Sequence, residues 1–233
     1  ETVDHTQDGI TLKMTNLYGD SQKIGASDDN EKWIDIGGGY GNGKIKPGLL
    51  KSVLVNGYPV ATNKSKSLKS LFDGSKTRTV NNLFLKTTYD TTGYYEYSSF
   101  QNYAWLDTST NKFKVYDAIG TPSNENRYYY QRGNFMPYNK INRNSTSTNK
   151  NRYDEDGNPL AATDSGYEKT LYKTVGTNDY QFGMYMSGDF LQPKDGKVSA
   201  KQGSSRSDMI YEFNGDDDMW IYIDNVLVLD IGG

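Results

Sequence analysis

Apolar side chains recur at every second position in several short stretches of this chain. Leu12 and Met14 alternate with Thr11, Lys13 and Thr15; Phe113 and Val115 alternate with Lys112, Lys114 and Tyr116; Phe182, Met184 and Met186 alternate with Gln181, Gly183 and Tyr185. A period of two puts one set on each face of an extended chain, so each stretch predicts a half-buried strand. The last 25 residues are the most explicit. Met209 to Phe213, the polar loop Asn214 to Asp218, Met219 to Ile223, the pair Asp224-Asn225 and Val226 to Asp230 predict strand, loop, strand, tight turn and strand. Asp and Asn tolerate the positive φ that a type I′ turn demands at both central positions. Helical spacing is rarer. Gly48 to Val55 carries Leu50, Val53 and Leu54 on one helical face, and Ser65 is placed to cap a turn or two through Leu68, Leu71 and Phe72. The turn pairs Asn56-Gly57 and Asp73-Gly74 end these two segments.

Between Gly120 and Asp164 the pattern gives way to polar sequence: Arg127-Tyr128-Tyr129-Tyr130, then a run of Asn, Ser, Thr and Lys from Asn139 to Asn151. This predicts a long surface insertion around 120–164, partly mobile. No unit of 20–50 residues repeats and no Pro-rich linker intervenes, so the expectation is one all-β domain over 1–233 with a few short helices and long loops.

Composition then removes whole classes of chemistry. The formal net charge is −3, which argues against a nucleic-acid partner or an anionic membrane surface bound through a basic patch. No window approaches the roughly 20 apolar residues of a spanning helix, so no membrane insertion is expected. The start at Glu1 lacks a basic and then apolar leader, which reads as a mature segment or an excised domain. There is no Cys and the single His is His5, so disulfides, thiolate nucleophiles, a His-based triad and multi-histidine metal sites are excluded for this chain acting alone. The 29 acidic residues divide into 22 Asp and 7 Glu, a bias toward turns and toward oxygen-rich sites for hard cations.

Four motifs carry weaker signals. Gly38-Gly39-Tyr40-Gly41-Asn42-Gly43-Lys44 has phosphate-loop spacing, but Ile45 stands where the Mg²⁺-binding hydroxyl belongs, so a Gly-rich loop is the better reading. Asp154-Glu155-Asp156-Gly157-Asn158 alternates oxygen ligands like a calcium loop, yet its Gly comes too early and Ser165 replaces the bidentate Glu. Asn144-Ser145-Thr146 fits a glycan acceptor in a stretch rich in Asn. Tyr94-Tyr95-Glu96-Tyr97 with Tyr103 and Trp105 reads as a sugar-stacking platform or, better supported by strand propensity, as aromatic packing between strands. Asp216-Asp217-Asp218 is the sharpest feature. Three adjacent carboxylates repel one another, and either a cation or open solvent must compensate.

The stretch from Met209 through Asn214-Gly215-Asp216-Asp217-Asp218 and Met219-Trp220-Ile221-Tyr222-Ile223 to Val226-Leu227-Val228-Leu229-Asp230-Ile231-Gly232-Gly233 closely resembles the fibro-slime domain signature. Gly93-Tyr94-Tyr95-Glu96-Tyr97-Ser98, Phe135-Met136-Pro137-Tyr138-Asn139 and Phe182-Gly183-Met184-Tyr185-Met186 resemble its upstream parts. That family is similar to the lectin-like domain of anthrax protective antigen, the PA-fourteen domain. The resemblance implies an antiparallel β-sandwich of jelly-roll type in a secreted or wall-attached surface adhesin of Gram-positive bacteria. It also implies Ca²⁺ held by Asp216 and Asp217 across a cis peptide, with a host or microbial glycan completing the metal shell or a surface protein as the alternative partner, and no enzymatic activity. In the sugar-binding relatives further ligands follow the Asp pair, and the family pattern continues past the position of Gly233. A domain truncated there would complete its edge with a strand from another chain or copy. The alternative is a structural or self-assembly module whose calcium loop is only a staple. A glycoside hydrolase ranks third, because nothing in the sequence locates a carboxylate pair at the required separation.

Overall fold

Period-two sequence becomes strand almost throughout. A computed structural model describes residues 2, 4, 9–16, 45, 47–117, 135–138, 141–144, 170–173, 182–199, 205–215 and 218–232. In chain order these form β1 (Ile10–Asn16), a 3-10 turn (Asn63–Ser65), α1 (Lys69–Phe72), β2 (Thr77–Val80), α2 (Lys86–Thr92), β3 (Asn102–Asp107), β4 (Lys112–Asp117), β5 (Ile141–Asn144), β6 (Thr170–Lys173), β7 (Phe182–Gly188), β8 (Lys197–Val198), β9 (Ser207–Asp208), β10 (Met219–Ile223) and β11 (Val226–Ile231). The fold class is all-β. β1 is the centre of a three-stranded sheet of order β2-β1-β7, and β3-β4, β5-β6, β8-β9 and β10-β11 are antiparallel pairs.

The chain divides into two compact units, each gathered from separated stretches: Glu1–Leu12, Thr79–Tyr180 and Met186–Ile210 in the first, and Lys13–Arg78, Gln181–Tyr185 and Tyr211–Gly233 in the second. In the first, β3 and β4 pair residue for residue, with Leu106 opposite Phe113 and Ala104 opposite Val115. Tyr103, Ala104, Leu106, Phe113 and Val115 are all buried. The predicted alternation in β4 is therefore correct. Aromatic rings extend this core: Tyr89 stacks on Tyr95 at 4.7 Å, Phe84 lies 5.5 Å from Tyr95, and Phe135 sits 5.4 Å from Tyr97 and 6.2 Å from Phe113. The Tyr97 hydroxyl donates to the Asn102 carbonyl at 3.0 Å, and burial pushes its pKa up. Tyr95, Tyr97 and Tyr103 are thus in packed surroundings, the second of the two readings of that segment. α2 was not expected from the sequence; it ends at Gly93, whose φ of 76° supplies the left-handed cap.

In the second unit, Leu50, Ala61, Leu68 and Leu71 form a buried cluster with Phe72 and Trp220 packed against it. Gly48 to Val55 is not helical. Its residues make single bridges, Leu50 to Ala61, Val53 to Val226 and Val55 to Tyr58, because Asn56 and Gly57 both take positive φ, 52° and 79°, and fold the chain back before a helix can form. The turn expected at Leu68 to Phe72 is α1, but the hydroxyl receiving its first N–H is Ser67, 3.2 Å from the Lys69 nitrogen, and not Ser65.

Two further expectations are corrected. β7 is a strand, yet Met184 and Met186 are exposed while Tyr185 is half-buried, its ring 5.8 Å from Phe72. Apolar residues occupy both faces of that strand, so alternation alone left its phase undetermined. Met209 to Phe213 is not a strand. Only Ser207–Asp208 pairs, with β8, and Met209, Ile210, Tyr211 and Phe213 are exposed; strand propensity cannot substitute for a ladder partner. Most of the 120–164 stretch, the Gly38–Lys44 loop and the 154–158 motif lie outside the described residues. Within the Asn139 to Asn151 run, Ile141–Asn144 pairs with Thr170–Lys173 as β5-β6.

Candidate functional site

The acidic loop leads directly into β10, so the β10-β11 hairpin fixes where the loop ends. Its turn is as read from the sequence: Asp224 and Asn225 have φ of 47° and 65°, and Ile223 pairs with Val226. The backbone around Ser52 to Leu54 clamps the turn, with the Leu54 N–H donating to the Asn225 carbonyl at 2.9 Å and the Leu227 N–H to the Ser52 carbonyl at 2.8 Å. The register steps between Ile221 and Tyr222, where Val228 is the extra residue. Beyond that bulge Trp220 lies opposite Asp230.

Asp230 ties the open end of the hairpin together. One carboxylate oxygen accepts the Trp220 indole N–H at 2.9 Å and the other accepts the Gly48 N–H at 2.5 Å. Gly48 takes a φ of 87°, which favours glycine, and its carbonyl accepts the Thr62 hydroxyl at 2.7 Å. Tyr222 donates to the Lys51 carbonyl at 3.1 Å; burial, and then the charge on Asp230, push its pKa up. These bonds answer which face of β10 packs inward: Trp220 packs on the buried leucine cluster, and Ile223 is exposed.

Of the predicted ligands, Asp216 and Asp217 and the peptide joining them lie outside the described residues. Their flanks are described. Phe213 folds over Gly215 so closely that a Cβ there would sit 2.5 Å from the ring, and Asp218 is half-buried at the edge of β10. The donor chemistry of the triplet fits a hard cation, since carboxylate oxygens are what Ca²⁺ takes. Among the described residues no group of three or more His, Cys, Asp or Glu side chains is placed to hold a metal. Asp230, the carboxylate on the partner strand, already holds two donors.

A second polar centre in the same unit joins Tyr58, Asp73 and Lys13. The Tyr58 hydroxyl donates to Asp73 at 2.5 Å, and the Lys13 ammonium lies 3.6 Å from the other oxygen. The hydrogen bond from Tyr58, and then the Lys13 charge, hold the Asp73 carboxyl below the usual range, while the same bond holds the Tyr58 hydroxyl above its own. Sequence reading missed this centre and Asp230. A signal existed for Asp230, a lone carboxylate in the otherwise apolar run Val226 to Ile231. None existed for Tyr58 with Asp73, which a turn brings together.

No family model matches the chain. Over 113 residues it is 29% identical to Protein psiF of Dictyostelium discoideum, an alignment covering 48% of this chain and 12% of that protein. The chain thus spans a small part of the length of that curated relative. No solved structure matches.

Proposed function

We propose that this chain is the ligand-binding module of a bacterial cell-surface adhesin, and that it binds a carbohydrate through Ca²⁺ held by Asp216 and Asp217. The antiparallel pairs would then belong to a β-sandwich of PA-fourteen type. The observation carrying the reading is the strand, type I′ turn and strand of β10-β11, which follow the acidic triplet in the order of the fibro-slime signature. Carboxylates at the foot of a clamped hairpin have a fixed base from which to present a cation, and Ca²⁺ accepts six to eight oxygens, enough for vicinal sugar hydroxyls to join its shell.

Thermal unfolding with Ca²⁺ and with chelator tests the metal. At a calcium concentration about a hundredfold above Kd, binding to the folded state alone adds roughly 2.7 kcal/mol, and Asp217→Asn should abolish the gain. A glycan array with calcium present then separates the readings. Binding lost in Asp217→Asn supports the lectin; a calcium-dependent rise with no glycan bound supports the structural alternative, a stapled loop in a self-assembly module. Absence of any calcium effect overturns both.

A further inference from the structure

On the second unit, the side of the Leu50–Ala61 ladder away from the buried leucines carries a different chemistry. Lys51 donates its N–H to the Val60 carbonyl at 2.8 Å, and Val60 bridges to Ser67, so these three residues are neighbours across the ladder. Directly opposed residues share a face, and Tyr58, two positions before Val60, shares it too. Ser65 and Lys69 flank Ser67. Together they line a cavity of 320 Å³, at the small end of the range of ligand pockets.

The lining carries two lysines, two serines, an amide and apolar side chains; the carboxylate beside it is Asp73, which accepts the Tyr58 hydroxyl and is stabilised in part by the Lys69 charge. Among the described residues neither Lys51 nor Lys69 forms a salt bridge. The Lys69 ammonium lies 5.2 Å from the Tyr58 ring centroid, while the Tyr58 hydroxyl is turned to Asp73, leaving the ring as a wall. Two lining residues, Asn56 and Ser65, hold φ of 52°, a conformation non-glycine residues keep at a cost. Two ammonium groups suit an oxyanion, because charge-assisted hydrogen bonds are the strong ones. The Ser65 and Ser67 hydroxyls and the Asn56 amide suit neutral hydroxyls, and the Tyr58 ring with the exposed Val55 side chain offers apolar surface for a C–H face.

We propose that this pocket binds an acidic sugar unit, carboxylated or sulfated, without calcium. The site shares no residue with the Asp216–Asp217 reading, and either can fail while the other stands.

The test is titration of the full 233-residue chain in chelator, followed by NMR shift perturbation and calorimetry. The probes are glucuronate against glucose, N-acetylglucosamine 6-sulfate against N-acetylglucosamine, and inorganic sulfate. An acidic sugar is expected to bind at least about tenfold more tightly than its neutral parent, since hydrogen bonds to charged groups exceed neutral ones. Binding should weaken with salt and fall at least about tenfold in Lys51→Gln/Lys69→Gln. Both lysines line the surface, so the variant should keep the parent melting temperature; Ser67→Ala, which leaves both charges, should weaken the sugar but not sulfate. Equal binding of neutral and acidic sugars, sulfate binding as tight as the sulfated sugar, or no saturable binding that the lysine variant removes would each overturn the proposal.

Discussion

Two hairpins of this chain, β3-β4 and β10-β11, are built alike and held differently. In β3-β4 six residues pair with six in an unbroken register, and burial of Tyr103, Ala104, Leu106, Phe113 and Val115 penalises any slip, because one step would exchange the faces of the whole strand. In β10-β11 Ile223, Val226 and Val228 are exposed, the register steps at Val228, and the ends are fixed by polar bonds from Asp230, Ser52 and Asn225. Where apolar burial dominates, register is continuous; where it is thin, a bulge is tolerated and a carboxylate takes over the anchoring. The acidic triplet adjoins the second kind of hairpin, whose open end tolerates charge.

The largest effect should come from the buried hairpin. Phe113 is fully buried, and Phe113→Ala should cost about 3–5 kcal/mol, as large-to-small changes in packed cores do. Val228→Ala, at an exposed bulge, should stay within about 0.5 kcal/mol. Denaturant midpoints for the two variants measure the contrast directly. Comparable losses would break it and show that β10-β11 depends on apolar burial after all.

The same contrast explains how much of the fold was legible in the sequence. Leu12, Met14, Phe113 and Val115 announced their strands because their neighbours were polar, and Asp224-Asn225 announced its turn because turn chemistry is local. β7 was legible as a strand but not in phase, since Met184 and Tyr185 are both apolar enough to face a core. α2 was invisible: Lys86–Thr92 has no apolar stripe, and its supports are the Gly93 cap, a 2.6 Å ion pair from Lys86 to Asp90 and the stacking of Tyr89 on Tyr95. At the candidate sites, the proposal for Asp216 and Asp217, which lie outside the described residues, rests on charge and resemblance. The Lys51–Tyr58–Ser67 pocket was not legible at all, because it needs the pairing of three segments.

An intermediate effect tests the carboxylate anchor. Asp230→Asn keeps the shape but replaces one acceptor by an N–H₂ group, which faces either the Trp220 indole N–H or the Gly48 N–H. Leaving one of those donors unsatisfied should cost about 1–3 kcal/mol, less than the loss of Phe113 and more than that of Val228. Chemical denaturation gives the value, and quickened amide exchange at Gly48 reads the loss of the bond itself. An unchanged Gly48 exchange rate would mean that the clamp from Ser52 and Leu54 holds this hairpin without Asp230.

A smaller loss than that at Asp230 sharpens the comparison from the other side, since β3-β4 has a carboxylate of its own. Asp107, at the end of β3, accepts the Ser109 hydroxyl at 2.6 Å and the Ser109 N–H at 2.9 Å, and Lys114 lies 3.3 Å away with its ammonium 5.6 Å from the Trp105 ring centroid. The Ser109 hydroxyl first, then its N–H and Lys114, lower the Asp107 pKa to about 2, against about 3.9 in an unfolded chain. A carboxyl with a depressed folded-state pKa stabilises above its unfolded value, and that contribution fades as pH falls from about 4 toward 2. Asp107→Asn should therefore cost about 1 kcal/mol at neutral pH, and the gap from the parent should close as pH approaches 2. A gap independent of pH would assign the loss to the altered turn geometry at Ser109 rather than to charge. In that case the buried hairpin would owe its stability to packing and turn shape alone, and charge anchoring would be confined to β10-β11.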